Sequence, residues 1–126
     1  MKTLRLLIFA VAISLLAGCG TLYTTIVTVS DVESAAMKEW ARAHNDHRTT
    51  EELDRKVMRA HDAFNVAKTD AGLLLEAYRA SGDKTKREQA LAVVRAAIGP
   101  VLDLIETFNP TKAATLKSAA ANATQP

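Results

Sequence analysis

Apolar and polar positions follow two different patterns along this chain. Residues 6–16 (LLIFAVAISLL) form an uncharged and largely apolar run, and no formal charge follows until residue 31. Beyond that point, apolar residues recur at steps of three and four, the spacing that puts side chains on one face of an α-helix. No segment beyond residue 31 shows the alternation of a half-buried strand. The pattern therefore predicts an all-α protein that is preceded by a distinct amino-terminal segment.

The strongest periodicity lies in two segments joined by SGDKT at residues 81–85. The first predicts a helix over about 51–80, with an apolar seam formed by Leu53, Val57, Ala60, Phe64, Ala67, Ala71, Leu74 and Tyr78. The second predicts a helix over about 85–108, with a seam formed by Leu91, Val94, Ile98, Val101, Ile105 and Phe108. Because the phase continues across Gly99 and Pro100, we expect one helix that is bent near Pro100.

The short connection predicts that these two helices form a long antiparallel hairpin. Gly82 is suited to the left-handed conformation that ends many helices. In an antiparallel pairing of the two seams, partners are residues whose numbers add up to 168 or 169. Each seam alanine then faces a larger side chain, as Ala71 faces Ile98. Complementary volumes favour close packing, and heptad seams are typical of coiled-coil contacts.

Weaker patterns place helices on both sides of the hairpin. A preceding helix is predicted over about 31–44, with the apolar face Val32, Ala36, Trp40 and Ala43, which would complete a three-helix, bundle-like domain over residues 31–108. Asn109 followed by Pro110 predicts the start of a short helix, in which Leu116 is the only large apolar residue. Beyond Ala121 we expect a disordered tail.

Three pairs of residues have the spacing of a capping box, in which Ser or Thr caps a helix and Glu bonds back to the cap. They are Ser30 with Glu33, Thr49 with Glu52, and Thr85 with Glu88. Residues 21–30 (TLYTTIVTVS), just before the first pair, are uncharged and rich in β-branched side chains. We interpret them either as a tether or as the first turns of the preceding helix.

The amino terminus has the layout of a secretory signal peptide. Two basic residues precede the apolar run, and the small residues Ala17 and Gly18 stand directly before Cys19. The sequence LAGC, ending at Cys19, resembles the lipobox of bacterial lipoproteins. The resemblance implies cleavage between Gly18 and Cys19, a diacylglyceryl group on the Cys19 thiol and an acyl group on the new amino terminus. No other cofactor is expected.

This resemblance divides the chain into four parts. Residues 1–18 are a cleaved signal peptide, 19–30 carry the lipid and a membrane-proximal tether, 31–108 form the helical domain, and 109–126 form a short helix and tail. Gly20 after the cysteine, rather than Asp, favours the outer membrane by the sorting rule of enterobacterial lipoproteins, with the inner membrane as the alternative. An uncleaved spanning helix within residues 6–29 also stays open, since a span needs about twenty apolar residues.

Charge limits the partners of the mature chain. Lys2 and Arg5 are two of the 16 basic residues, which leaves 14 basic and 14 acidic residues beyond Cys19. Binding to nucleic acid draws on many unopposed cations, so we expect no nucleic-acid partner. Cys19 is the only cysteine, and the fold therefore cannot depend on disulfides.

Candidate chemistry is sparse, and the sequence predicts neither catalytic residues nor a small-molecule substrate. His44 and His47, with Asp46 between them, have a spacing that allows metal binding, but polar residues are also expected at a helix end. The mature serines lie in no nucleophile motif, and the chain lacks a glycine-rich phosphate loop. We therefore predict that the protein is not an enzyme and holds no resident metal.

Two classes of function stay open. The first is a membrane-anchored interaction or scaffolding module that binds a protein partner or its own copy. The second is a periplasmic lipoprotein that binds a small ligand or metal. GCGTLYTTIVTV followed by charged helices also resembles, more faintly, small uncharacterised lipoproteins encoded by phages and prophages, which implies a lysis-related, spanin-like role as a further alternative.

Overall fold

The computed structural model describes the backbone of residues 2–124 and the side chains of residues 22–124. This part of the chain contains four helices and no strand: α1 is Lys2–Asn45, α2 is Glu51–Ser81, α3 is Lys84–Glu106 and α4 is Pro110–Ala123. The all-α prediction is therefore confirmed. The predicted cleavage at Gly18 and lipidation at Cys19 concern residues outside those whose side chains are described.

The antiparallel hairpin of α2 and α3 is the centre of the bundle. Gly82 adopts the predicted left-handed conformation with φ of 67°, and its amide donates to the Tyr78 carbonyl at 2.7 Å. The helices α2 and α3 share the largest helix contact in the described part of the chain. Pro100 lies inside α3, which continues past it to Glu106. The predicted continuity of this helix is confirmed.

The buried residues of the hairpin follow the two predicted seams. On α2 they are Val57, Phe64, Ala67, Ala71, Leu75 and Tyr78, and on α3 they are Ala90, Val94, Ile98, Val101, Leu102 and Ile105. Leu75, Ala90 and Leu102 are additions to the predicted set. They widen the seams because α1 packs on both hairpin helices and α4 packs on α3.

The first helix contains the predicted segment 31–44 but begins well before it. The capping box at Ser30 is wrong, because Ser30 lies inside α1 and its hydroxyl donates to the Ile26 carbonyl at 2.8 Å. Leu22 and Val29 are 1% and 0% exposed. Residues 22–30 are thus helical and held by tertiary contacts, which fits the second interpretation of this stretch, as the first turns of the helix.

Two other capping boxes are also wrong in detail. The N-cap of α2 is Thr50, whose hydroxyl oxygen accepts from the Leu53 amide at 3.2 Å, and not Thr49. The N-cap of α3 is Asp83, whose carboxylate accepts from the Thr85 amide at 2.9 Å. Asp is at least as good a cap as Thr, so α3 begins at the earlier residue.

The last helix starts as predicted and continues farther. Asn109 is its N-cap and accepts from the Lys112 amide at 3.1 Å, and Pro110 is its first residue. Of the tail predicted to be disordered beyond Ala121, the part up to Ala123 is helical, and Thr124 is 4% exposed. Residues 125 and 126 lie outside the described part of the chain. The described end of the chain is held because α4 packs on α1 and α3.

Candidate functional site

The two histidines predicted as metal ligands lie at the carboxyl end of α1. His44 is in its last turn, and His47 follows in the loop with a left-handed φ of 58°. Over residues 22–124, no group of three or more His, Cys, Asp or Glu side chains is arranged to hold a metal ion. His44 instead contacts a carboxylate of α2.

That carboxylate belongs to Asp54, which joins the end of α1 to the first turn of α2. The Trp40 indole N–H donates to Asp54 Oδ1 at 2.8 Å, and His44 Nδ1 lies 2.9 Å from Asp54 Oδ2. The rings of Trp40 and His44 stack with centroids 5.5 Å apart. One carboxylate therefore holds two aromatic side chains of α1 in place.

These hydrogen bonds change the acidity of Asp54. Burial alone would raise the pKa of Asp54, but hydrogen bonds with Trp40, Thr49 and His44 outweigh it and hold this pKa below its ordinary value. A carboxyl group whose pKa is lower in the folded state than in the unfolded state stabilises the fold at pH values above its unfolded-state pKa. That contribution is lost as the pH falls through the folded-state pKa.

We therefore expect the free energy of unfolding to decrease as the pH falls below about 4, the ordinary pKa of an aspartate. Asp54→Asn should reduce this decrease, because it removes the titrating group. Urea unfolding between pH 3 and pH 6 measures the effect, and Asp70→Asn at an exposed site of α2 is the control. Equal pH dependence in Asp54→Asn and wild type would contradict the assignment.

A second contact between α1 and α2 is centred on His61. Glu33 is buried, with 6% of its side chain exposed, and its Oε1 accepts from His61 Nδ1 at 2.5 Å. Because the carboxylate accepts at Nδ1, the other ring nitrogen is the acceptor for the Asn65 amide at 3.2 Å. Both nitrogens of the ring are thus engaged by neighbouring side chains.

The two contacts fix how α1 lies on α2. The residue numbers add up to 94 in the pair Glu33 and His61 and also in the pair Trp40 and Asp54. The pairs are seven residues apart on each helix, and the order is reversed between the helices. The contacts therefore define one antiparallel register for α1 and α2.

A third contact ties α1 to the start of α4. Glu39 is 6% exposed, and its Oε1 accepts from Asn109 Nδ2 at 2.7 Å. Its other oxygen lies 3.4 Å from Arg42 Nη1. Since Asn109 Oδ1 also caps α4, a single side chain both starts α4 and binds α1.

From the sequence, Glu33 is assigned only to a capping box, and Glu39 and His61 are assigned no role. The available signal was helical spacing, since Glu33 lies seven residues before Trp40 and Glu39 seven residues after Val32. Both glutamates therefore border the apolar face of α1. Their partners lie 28 and 70 residues away along the chain, and no local pattern reveals such pairs.

The buried carboxyl groups of α1 are thus paired across helices.

No protein-family model, curated protein or solved structure matches this chain. In the part of the chain whose side chains are described, no helix combines the length and hydropathy needed to cross a membrane. The contacts of Glu33, Glu39 and Trp40 serve to set the position of α1 on the other helices.

Large apolar side chains are exposed on the outer faces of α1 and α2. Val66 and Leu73 of α2 are 62% and 65% exposed, and Tyr23 of α1 is 62% exposed. Val66 and Leu73 are seven residues apart and so lie on the same face of their helix. We call these two side chains the outer row of α2.

Proposed function

We propose that the protein is a membrane-anchored bacterial envelope lipoprotein whose helical bundle acts as a non-enzymatic interaction or scaffolding module. The lipobox ending at Cys19 supports the anchor. The observation that carries the proposal is the burial of Leu22, at 1% exposure, only three residues after Cys19. The mature bundle would therefore be joined to its lipid without a flexible spacer and would be held at the membrane surface.

The chemistry of lipidation supports firm attachment. A single acyl chain gives marginal and reversible binding, and each buried methylene contributes about 0.8 kcal/mol. The diacylglyceryl group and the amino-terminal acyl group implied by the lipobox place several chains on one residue. Gly20 supports the outer membrane, with the bundle facing the periplasm, over the inner membrane.

The outer row of α2 supports an interaction role. Val66 and Leu73 are separated by one heptad and leave apolar surface in water. An apolar row at heptad spacing suits an amphipathic helix that packs lengthwise. We therefore propose that the partner is a protein that presents such a helix to α2.

The anchor is tested by comparing wild type with Cys19→Ser. We expect labelled palmitate to appear only in the wild type, which should fractionate with the outer membrane, while Cys19→Ser stays unlabelled and uncleaved. If neither protein is labelled and both remain at full length in the inner membrane, residues 6–29 form a spanning helix and the lipoprotein proposal is wrong.

The interaction role is tested by placing a photo-crosslinking amino acid at position 66 or 73 in cells. We expect adducts from both positions and none from Ala114, an exposed residue of α4 that serves as the control. An adduct of twice the mass of the chain would identify its own copy as the helical partner. Equal adducts from all three positions, or none, would contradict a role for the outer row.

A further inference from the structure

A cavity of about 610 Å³ lies between α3 and α4, apart from all the polar contacts that position α1. Its apolar wall consists of Ile98 and Leu102 of α3 and Ala120 and Ala121 of α4. We call it the α3–α4 cleft. Its volume lies within the roughly 300–1,000 Å³ that is typical of small-molecule sites.

The cleft exists because the facing side chains are short. Gly99 contributes no side chain, and a Cβ atom placed on it would meet nothing within 4 Å. Ala120 and Ala121 of the opposite helix reach only a short distance into the gap. The α3 residues of the wall extend from Arg95 to Asp103, about 12 Å along the helix axis. The space therefore suits an elongated apolar ligand.

The two ends of the cleft differ in charge. At one end, Lys117 Nζ lies 2.9 Å from Asp103 Oδ1 and 2.5 Å from Glu106 Oε2. Hydrogen bonds with Glu106 and Asp103 raise the pKa of Lys117 above its ordinary value. This cation is thus neutralised by two carboxylates.

At the other end, Arg95 donates from Nη2 to the Thr124 carbonyl. None of the ion pairs among residues 22–124 includes Arg95. A guanidinium presents five donors in a planar fork that matches a carboxylate. The Arg95 end of the cleft is therefore the one that complements an anionic head group.

We propose that the α3–α4 cleft binds the carboxyl end of a long-chain fatty acid, with its carboxylate at Arg95 and the adjoining part of its chain against Ile98, Leu102, Ala120 and Ala121. The rest of the chain extends out of the cleft past its Lys117 end. This site goes beyond the proposed anchoring function and does not require that Cys19 is lipidated. The apolar wall supplies affinity for the chain, and the charged end selects the head group.

The experiment uses the purified full-length chain in phospholipid nanodiscs with a diazirine-bearing palmitic acid as the probe. After illumination, we expect mass spectrometry to place adducts on residues 95–103 and 117–124. Ala121→Gln puts a polar side chain into the cleft and should reduce these adducts about tenfold, the effect of losing roughly 1.4 kcal/mol of binding. Ala119→Gln changes an exposed neighbour that does not line the cleft, and we expect no reduction.

The head group is tested separately with Arg95→Met. We expect labelling of this variant by the acid to fall about tenfold, because methionine cannot donate the charge-assisted hydrogen bonds of the guanidinium to a carboxylate. Labelling by the methyl ester should be unchanged. Equal losses for acid and ester would contradict the role of Arg95, and unchanged labelling in Ala121→Gln would overturn the site.

The same labelling in Cys19→Ser separates this proposal from the anchor. We expect wild type and Cys19→Ser to give equal adducts in the cleft whether or not Cys19 accepts palmitate in cells. If adducts rise about tenfold in Cys19→Ser, the chain's own acyl group fills the cleft and a free fatty acid is not its ligand.

Discussion

Replacing His61 by alanine is expected to lower the free energy of unfolding by about 3 kcal/mol. Glu33 would keep its buried position, with 6% of its side chain exposed, but would lose the donor that lies 2.5 Å away. A buried carboxyl group without a partner carries most of the cost of leaving water. Urea unfolding near pH 7 measures the loss.

A second substitution shows whether the unpaired Glu33 causes the loss. Replacing both members of a buried hydrogen-bonded pair with apolar residues can be nearly neutral. Adding Glu33→Leu to His61→Ala should therefore recover most of the stability that His61→Ala loses. The exposed neighbour Asp62 provides the control, because Asp62→Ala is expected to stay within about 0.5 kcal/mol of wild type. If His61→Ala also stays within that limit, the pair does not hold α1 on α2.

Phe64→Ala is expected to lower the free energy of unfolding by about 3–5 kcal/mol, the usual cost of removing a large buried side chain. Phe64 is 1% exposed and is the largest fully buried side chain in the described part of the chain. Small domains have a total stability of only about 5–15 kcal/mol. Thermal and urea unfolding should therefore show a large shift in the midpoint.

Val66→Ala is the matched control for Phe64→Ala. Val66 lies on the same helix two residues away, but it is 62% exposed. Its truncation should change the free energy of unfolding by less than about 0.5 kcal/mol, although it shortens the outer row of α2. Equal losses at Phe64 and Val66 would contradict the packing of α2 described above.

The hairpin could be predicted from the sequence because its signal repeats. Each of its seams contains at least six apolar positions at steps of three and four, so a single exception such as Leu75 does not shift the phase. Gly82 marked the connection because few residues other than glycine adopt positive φ at a helix end. Both features are local and need no knowledge of the other helices.

The helix starts were less predictable because several neighbouring residues can act as caps. Thr49 and Thr50 are adjacent, and Asp83 competes with Thr85. Ser30 fits a capping box in sequence, but a helix that already includes residues 22–29 leaves it no free amide to accept from. The choice in each case depends on where the helix packs, which is a property of the whole bundle.

The polar contacts and the α3–α4 cleft depend on distant residues. Asn109 was recognised as a cap, but its bond with Glu39 joins residues 70 positions apart. The cleft forms because Gly99 has no side chain and Ala120 and Ala121 have short ones. These residues enclose a cavity only because α4 packs on α3. A functional prediction could be drawn only from residues 16–19, because they resemble a lipobox.

The two-residue connection between α2 and α3 sets the order in which the bundle can assemble. Only Gly82 and Asp83 separate the two helices, and short loops cost little entropy to close. We therefore expect the hairpin to form early during refolding. The first helix is synthesised first, yet the residues that position it, Asp54, His61 and Asn109, all follow it in the chain. During synthesis it can therefore complete these polar contacts only after Asn109 has been added, when both helices of the hairpin already exist as chain.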